Sequence, residues 1–427
     1  MKRFLLLALL LTISGAGKAQ LYFPPNGSSA WETTDPATYG WCQDSIDVLY
    51  DYLDQTNTKA FILLRDGRIV LERYFDSFTA DSLWVWNSAG KTLTGFAVGI
   101  AQEEGFLNIG DTTSDYLGAG WTNMTPQQEE KITIRHQLTM TSGLADTGDI
   151  FCTDPACLNY LADPGDRWAY HNGPYTLLDD VIENATGLTL NQWTTQKIKN
   201  PTGMTGLFVP IGYNNIFISN ARSMARFGLL LQAGGNWNGT AVLDDPAYFY
   251  DMTHPSQSLN PSYGYLTWLN GQSSFMIPQS QLVFSGSAMP NAPADMYAAL
   301  GKDGQIINVA PTEGIVVVRM GGNDNNSLVS TQYNDTIWQH IDNLGCGLSI
   351  TEENLSAISA FPNPADGTVQ ISGLLPDDEI TVTTINGTET GMMPKAGQLD
   401  VSLLETGIYL ITINRSGERR TIRLLVN

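Results

Sequence analysis

The chain has 427 residues, 43 acidic side chains against 22 basic ones, and a formal net charge of −21. Hydrophobic residues make up 42% and charged residues 15%, which is enough apolar material for a sizeable core and excludes disorder throughout. The length points to two folded units, and the acidic balance argues against nucleic acid and anionic membrane surfaces as partners, since both repel a polyanion. The first residues read as a secretory signal over 1–19. Lys2 and Arg3 give the positive end, residues 4–13 a short apolar run, and Gly17 and Ala19 the small residues before a cut at Gln20. The run is too short to span a bilayer.

A helix is expected over 44–53, where Ile46, Leu49, Tyr50 and Leu53 repeat at helical spacing. A hairpin follows, with strands at 60–64 and 69–75 around the Asp66-Gly67 turn. Another helix begins near Ser88, with Leu93, Phe96, Ala97 and Ile100 inward. Residues 111–271 mix short helices with Gly, Pro and Asn turns. Strands return at 296–300, 306–310 and 314–319, and a last helix at 331–344 places Ile337, Ile341 and Leu344 on one face. This order suits an α+β fold: one antiparallel sheet flanked by helices, with a helical lobe inserted between its strands. After Cys346 the pattern changes to short alternating strands at 369–371, 380–382 and 408–413. Asn386-Gly387, Thr406-Gly407 and Ser416-Gly417 separate them, as in a small all-β sandwich. The expected division is a first domain over 20–346, a linker over 347–358 and a second domain over 359–427.

Export permits disulfides, and four cysteines allow three pairings. Cys152 and Cys157 close a short loop, which leaves Cys42 with Cys346 to tie the two ends of the first domain together. Their spacing does not suit zinc, and no metal or cofactor is expected. Residues 323–326, Asn-Asp-Asn-Asn, do not have the spacing of a dedicated calcium loop and read as a surface turn.

The chemistry concentrates in three places. In Asn87-Ser88-Ala89-Gly90-Lys91, Ser88 and Lys91 are three apart, on one face of a helix. A serine hydroxyl needs an adjacent base, and a lysine whose pKa is lowered by burial can be one. The helix start also favours developing negative charge. Tyr170-His171-Asn172 follows a turn-rich segment, and Lys302-Asp303-Gly304 lies directly before Gln305 and a strand. His171 is read either as a pocket residue or as the solvated middle of its motif. Trp84, Trp86, Tyr263, Tyr265 and Trp268 are read as cleft or core residues, without a decision between the two. The four histidines and the absence of G-x-S-x-G around Ser88 speak against a Ser-His-Asp esterase.

The order S-x-x-K, Y-x-N, K-x-G resembles that of the penicillin-recognising serine hydrolases. The stretches 132–144 and 219–228 resemble runs of class C β-lactamase-like proteins, so the resemblance covers about residues 40 to 345. It implies Ser88 as the acylated nucleophile and Lys91 as its proton partner. It implies Tyr170 as a second acid/base group, its phenolate favoured by Lys91 and Lys302. Asn172, Lys302, Gly304 and Gln305 would be substrate-binding positions, with the Ser88 and Gln305 backbone N–H groups as the oxyanion hole. Asp303 stands where a small hydroxyl residue is usual. Pointing into the cleft it would repel a substrate carboxylate, which favours a neutral ester or amide. The alternatives are a true β-lactamase or D-alanyl peptidase, an inactive peptidoglycan-binding relative, and an adhesion protein. Phe361-Pro362-Asn363-Pro364 and Gly407-Ile408-Tyr409 resemble the C-terminal sorting domain of type IX secretion. That implies a secreted or cell-surface protein whose partners are a small-molecule or peptide substrate and the outer-membrane secretion machinery. A monomer is the expected state.

Overall fold

The computed structural model describes residues 21–322, 328–346 and 358–427, except 377, 396 and 416–417. The expected signal segment, the 323–326 turn and all but the last residue of the expected linker lie outside the described residues. Two compact units divide between Gly345 and Cys346.

The first unit is built on a six-stranded antiparallel sheet. Its order across the sheet is Arg68–Tyr74, Thr58–Arg65, Ile315–Gly321, Gln305–Ala310, Tyr297–Gly301 and Trp268–Leu269. The three late strands are buried at every position, so both faces of the sheet are covered, which explains runs such as Ile315-Val316-Val317-Val318. The helices Ala221–Gln232, Gln43–Gln55 and Thr331–Asp342 supply cover. Gly228 lets the first of these lie close, for a Cβ there would stand 2.5 Å from Val316 Cγ1 and 2.9 Å from Ile307 Cγ2. The last helix ends two residues earlier than its apolar pattern suggests. Leu344 is nonetheless buried, and its carbonyl accepts from Cys42 N–H at 2.9 Å, so the two ends of the unit do meet. Cys152 is joined to Cys157; Cys42 and Cys346 are also disulfide-bonded, and no cysteine is free.

Between Arg68–Tyr74 and Trp268–Leu269 runs the lobe, in which the helices Gly90–Glu103 and Asn172–Thr186 pack together. Every residue from Gly90 to Ala101 is buried, so this helix is enclosed on all sides rather than amphipathic. Gly99 admits the Tyr248 ring, whose Cε1 would lie 2.4 Å from a Cβ. A small three-stranded sheet, Trp84–Val85, Asn214–Ser219 and Leu207–Ile211, was not legible as strands in a stretch rich in Asn and Gly.

The second unit has two three-stranded antiparallel sheets. One orders Ser359–Phe361, Thr368–Ser372 and Gln398–Asp400; the other Glu379–Thr384, Gly407–Arg415 and Glu418–Val426. Val369, Ile371, Val382, Ile411, Ile413 and Leu424 form its own core. Ile358 is fully buried in that core, so the expected linker is shorter by this residue.

Candidate active site

The path to Ser88 is fixed before the helix begins. Trp84 and Val85 pair with Ser219 and Ile218, and the buried Trp86 donates its indole N–H to Ser219 Oγ at 2.8 Å. Asn87 then takes a left-handed backbone, φ 48°, which asparagine tolerates better than most residues. Its side-chain amide donates to the Lys302 carbonyl at 2.9 Å. Ser88 sits in a single 3-10 turn, Asn87–Ala89, rather than in the helix itself, and Lys91 lies in the first turn of Gly90–Glu103. Lys91 Nζ donates to Ser88 Oγ at 2.9 Å. The end of the Tyr297–Gly301 strand abuts this turn. A Cβ on Gly301 would stand 2.5 Å from Trp86 O, 2.9 Å from Ala89 N and 3.0 Å from Ser88 N, so only glycine allows the approach.

Tyr170 arrives from the segment that feeds the helix Asn172–Thr186. It lines the same cleft as Ser88, and its ring lies 5.2 Å from Lys91 Nζ. The Tyr175 ring is nearer, at 4.2 Å. Trp168, Tyr263 and Trp268 pack around Tyr170, the last stacked on it at 5.8 Å. Tyr263, Tyr265, Trp268 and Trp86 are therefore core, Trp84 is half-buried, and none of the five lines the cleft. His171 is neither a cleft residue nor solvated. It is buried and caps the helix: Nδ1 accepts from Gly173 N–H at 3.1 Å, which leaves Nε2–H to donate to Ala145 O at 2.9 Å.

The cleft holds about 90 Å³ and is bounded by Ser88, Lys91, Tyr170, Asn172, Tyr175 and Lys302. Phe151, Ile216 and Leu328 supply apolar wall, and Asn87, Asn214 and Asn215 supply neutral amides. The late motif is a hairpin turn in which Asp303 and Gly304 both have positive φ, 62° and 70°. The fully buried Arg319 donates to the carbonyls of Asp303 at 2.7 Å and Gly304 at 3.1 Å, and so holds the turn from below. Lys302 reaches the cleft. Asp303 and Gly304 do not line it, which removes the expected repulsion of a substrate carboxylate by Asp303. The Gln305 side chain is spent on Gly321, donating to its carbonyl at 2.6 Å and accepting from its N–H at 3.2 Å. Gln305 is fully buried and is not among the residues that bound the cleft.

Burial sets the proton affinities. It pushes the Lys91 amine down to about 7, against a smaller upward pull from the Asp179 carboxyl. It pushes the Tyr170 phenol well up, with only the nearby Ser88 hydroxyl acting the other way. The expected phenolate, favoured by two ammonium groups, is therefore corrected: the phenol is held neutral and the amine is the group poised near neutral pH. Asp179 itself is pushed up to about 8 by burial. Sequence reasoning passed over Asp179, Asn87 and Asn215. Asp179 carried a signal, since it lies seven residues after Asn172, on the same helix face as Asn172 and Tyr175.

Residues 51–333 match the family model described as beta-lactamase, and residues 359–427 match the secretion system C-terminal sorting domain. No curated protein matches the chain. Among solved structures, a penicillin-binding protein homolog from Caulobacter crescentus is 15% identical, covering 71% of this chain and 99% of that one at a TM-score of 0.54. A family VIII carboxylesterase is 13% identical, covering 74% and 99%, also at 0.54. A beta-lactamase from Mycobacterium bovis is 19% identical, covering 70% and 99% at 0.51. At these identities the likeness is one of fold.

Proposed function

The chain belongs to the beta-lactamase family, and we propose that it is an exported serine hydrolase that cleaves an ester or amide through an acyl-enzyme on Ser88. The observation that carries the reading is the meeting, in one cleft, of Ser88 Oγ with a buried amine 2.9 Å away and the buried phenol of Tyr170. A serine that merely packs has no need of either.

In this reading neutral Lys91 takes the Ser88 proton as Oγ bonds to the substrate carbonyl carbon. The carbonyl electron pair moves onto oxygen, which faces the Ser88 and Gln305 N–H groups. Losing one such donor costs about 3 to 4 kcal/mol in comparable hydrolases. As the tetrahedral adduct collapses, the neutral Tyr170 phenol protonates the leaving group and is refilled from the Lys91 ammonium. Water then enters, gives its proton along the same route, and releases the acid. Asn172 and Lys302 orient the substrate.

Preference for a substrate without a carboxylate rests on the missing hydroxyl beside Lys302, not on Asp303. Short-chain p-nitrophenyl esters assayed beside nitrocefin test it, and rapid nitrocefin turnover without esterase activity reverses the preference. A fluorophosphonate probe with mass mapping tests the nucleophile. Label on Ser88 that disappears in Ser88→Ala is the expected result, and an unlabelled wild type leaves an inactive binder. The C-terminal sorting domain indicates export by type IX secretion to the medium or the cell surface and contact with that machinery.

A further inference from the structure

Lys91 must carry a charge once it takes a proton, yet among the described residues no carboxylate forms an ion pair with it. Beyond Ser88 Oγ at 2.9 Å, its Nζ meets the faces of two rings. The Tyr170 centroid stands 5.2 Å away and the Tyr175 centroid only 4.2 Å. Two packed helices make the nearer contact. Lys91 and Thr94 are three apart on one face of Gly90–Glu103, and Asn172 and Tyr175 are three apart on one face of Asn172–Thr186. The Tyr175 hydroxyl reaches Thr94 Oγ1 at 3.4 Å, so the ring lies along the Lys91 face with the amine above it. Tyr175 is 4% exposed and bounds the cleft. Burial keeps its phenol protonated, so it is no counter-ion. A ring face attracts a cation and is nearly indifferent to a neutral amine, and the attraction is strongest where water is excluded.

We propose that Tyr175 is a positioning residue for Lys91: its ring is the platform on which the Lys91 ammonium rests once the amine has taken the Ser88 proton. The inference rests on the reading of Lys91 as base. The proton leaves Ser88 Oγ as that oxygen bonds to the substrate carbonyl carbon, and Nζ holds it until Tyr170 has protonated the leaving group and is refilled; Tyr175 neither gains nor loses a proton. Its ring favours the state with charge on nitrogen, and so helps the transfer rather than the resting amine. The titratable groups that face Lys91 are Tyr170 from the segment before Asn172–Thr186, Tyr175 and Asp179 from that helix, and Lys302 across the cleft. Asp179 is pushed up to about 8, so below that pH it is mostly uncharged and gives the ammonium little.

The contact fixes the sign. The ring raises the amine's proton affinity against the larger lowering by burial, so without the ring face the amine empties at lower pH. The test is the rate constant for fluorophosphonate labelling of Ser88 in the full mature chain, followed from about pH 5 to about pH 9, with kcat on p-nitrophenyl acetate. Tyr175→Leu keeps bulk and loses the face. Its acid limb should move down by about one pH unit, about tenfold more label relative to its own plateau at a fixed pH on the limb. The plateau itself should fall several-fold, because the base is weaker. Tyr175→Phe keeps the face and should keep the limb in place. An unmoved limb in Tyr175→Leu overturns the assignment. A limb that moves up does so too, because the ring then only kept water from the amine. Should Tyr175→Leu lose its cooperative melt, Tyr175→Phe carrying one, two or three ring fluorines takes its place. Fluorine drains the ring face at nearly constant volume, so the limb should step down with each one, and a limb that ignores fluorination overturns the inference. A wild type that labels without an acid limb overturns Lys91 as base, and one that never labels at Ser88 overturns the serine hydrolase reading; an unmoved limb beside a normal wild type overturns the role of Tyr175 alone.

Discussion

Gly301→Ala is the smallest change that reaches the oxyanion site without touching a side chain of the cleft. The added methyl would stand 2.5 Å from Trp86 O, 2.9 Å from Ala89 N and 3.0 Å from Ser88 N, and all three are backbone atoms. No rotamer change can make room. Ordinary contact begins near 3.4 Å, so the strand end and the Ser88 turn must part by about 1 Å. Lys302 follows Gly301 directly, Gln305 pairs with Gly301 across the hairpin, and Asn87 ties the Lys302 carbonyl to the same turn, so the displacement falls on the spacing between the two N–H donors. A misplacement of about 1 Å costs on the order of 100-fold in rate, and overpacking of this kind destabilises by about 1–3 kcal/mol. Steady-state kinetics on p-nitrophenyl acetate and a urea melt measure the two effects separately. The expected variant is folded, somewhat weakened, and about 100-fold slower in kcat. Wild-type kcat in Gly301→Ala would refute the claim that this contact sets the oxyanion geometry.

Further outcomes follow from the same site. Because the Lys91 amine is held down to about 7, it is ammonium below that pH, and kcat/KM should fall about tenfold per pH unit on the acid side; a profile flat from pH 5 to pH 7 contradicts Lys91 as base. Asn87→Ala puts a less tolerant residue at positive φ and breaks the bond to Lys302, so a loss of about 1–3 kcal/mol with slower turnover is expected in a chemical melt. Arg319→Met leaves the Asp303 and Gly304 carbonyls without their buried donor and should cost about 1–3 kcal/mol for each, whereas a variant as stable as wild type means the turn holds itself. Deletion of residues 358–427 should leave enzyme activity intact, since the second unit has its own core, and should trap the protein in the periplasm; fractionation of the culture reads the result.

The elements with strong periodicity were legible in the sequence. The helix expected over 44–53 spans Gln43–Gln55, the 60–75 hairpin forms, and the three late strands shift by only one or two residues. What the sequence hid was of two kinds. One is backbone that departs from regular structure where neighbours require it. Ser88 stands in a 3-10 turn because Asn87 is left-handed and tethered to Lys302, and Asp303 is turned away because Arg319 grips its carbonyl. The other is environment. The order of Ser88, Lys91 and Tyr170 along the chain implied a shared cleft, but not that burial would keep the phenol neutral and bring the amine near 7. His171 shows the same limit: read as cleft-lining or solvated, it is a buried helix cap, because its ring nitrogens meet two backbone groups far apart in sequence.

The helix that begins directly after Ser88 is enclosed from Gly90 to Ala101, with Gly99 admitting the Tyr248 ring and Trp193 donating to the Ala97 carbonyl. Such a rod tolerates almost no change in side-chain volume, so Lys91 and the turn that carries Ser88 are held against gradual alteration. The cleft's outer wall is another matter: Phe151 stands beside the Cys152–Cys157 loop, and Asn214 and Asn215 lie just past a tight strand connection. Tyr213 in that connection donates to Asp154 in the loop at 2.8 Å, clasping the two sides together. Exchange of these few outer positions would therefore reshape the cleft's rim while leaving Ser88, Lys91 and Tyr170 in place.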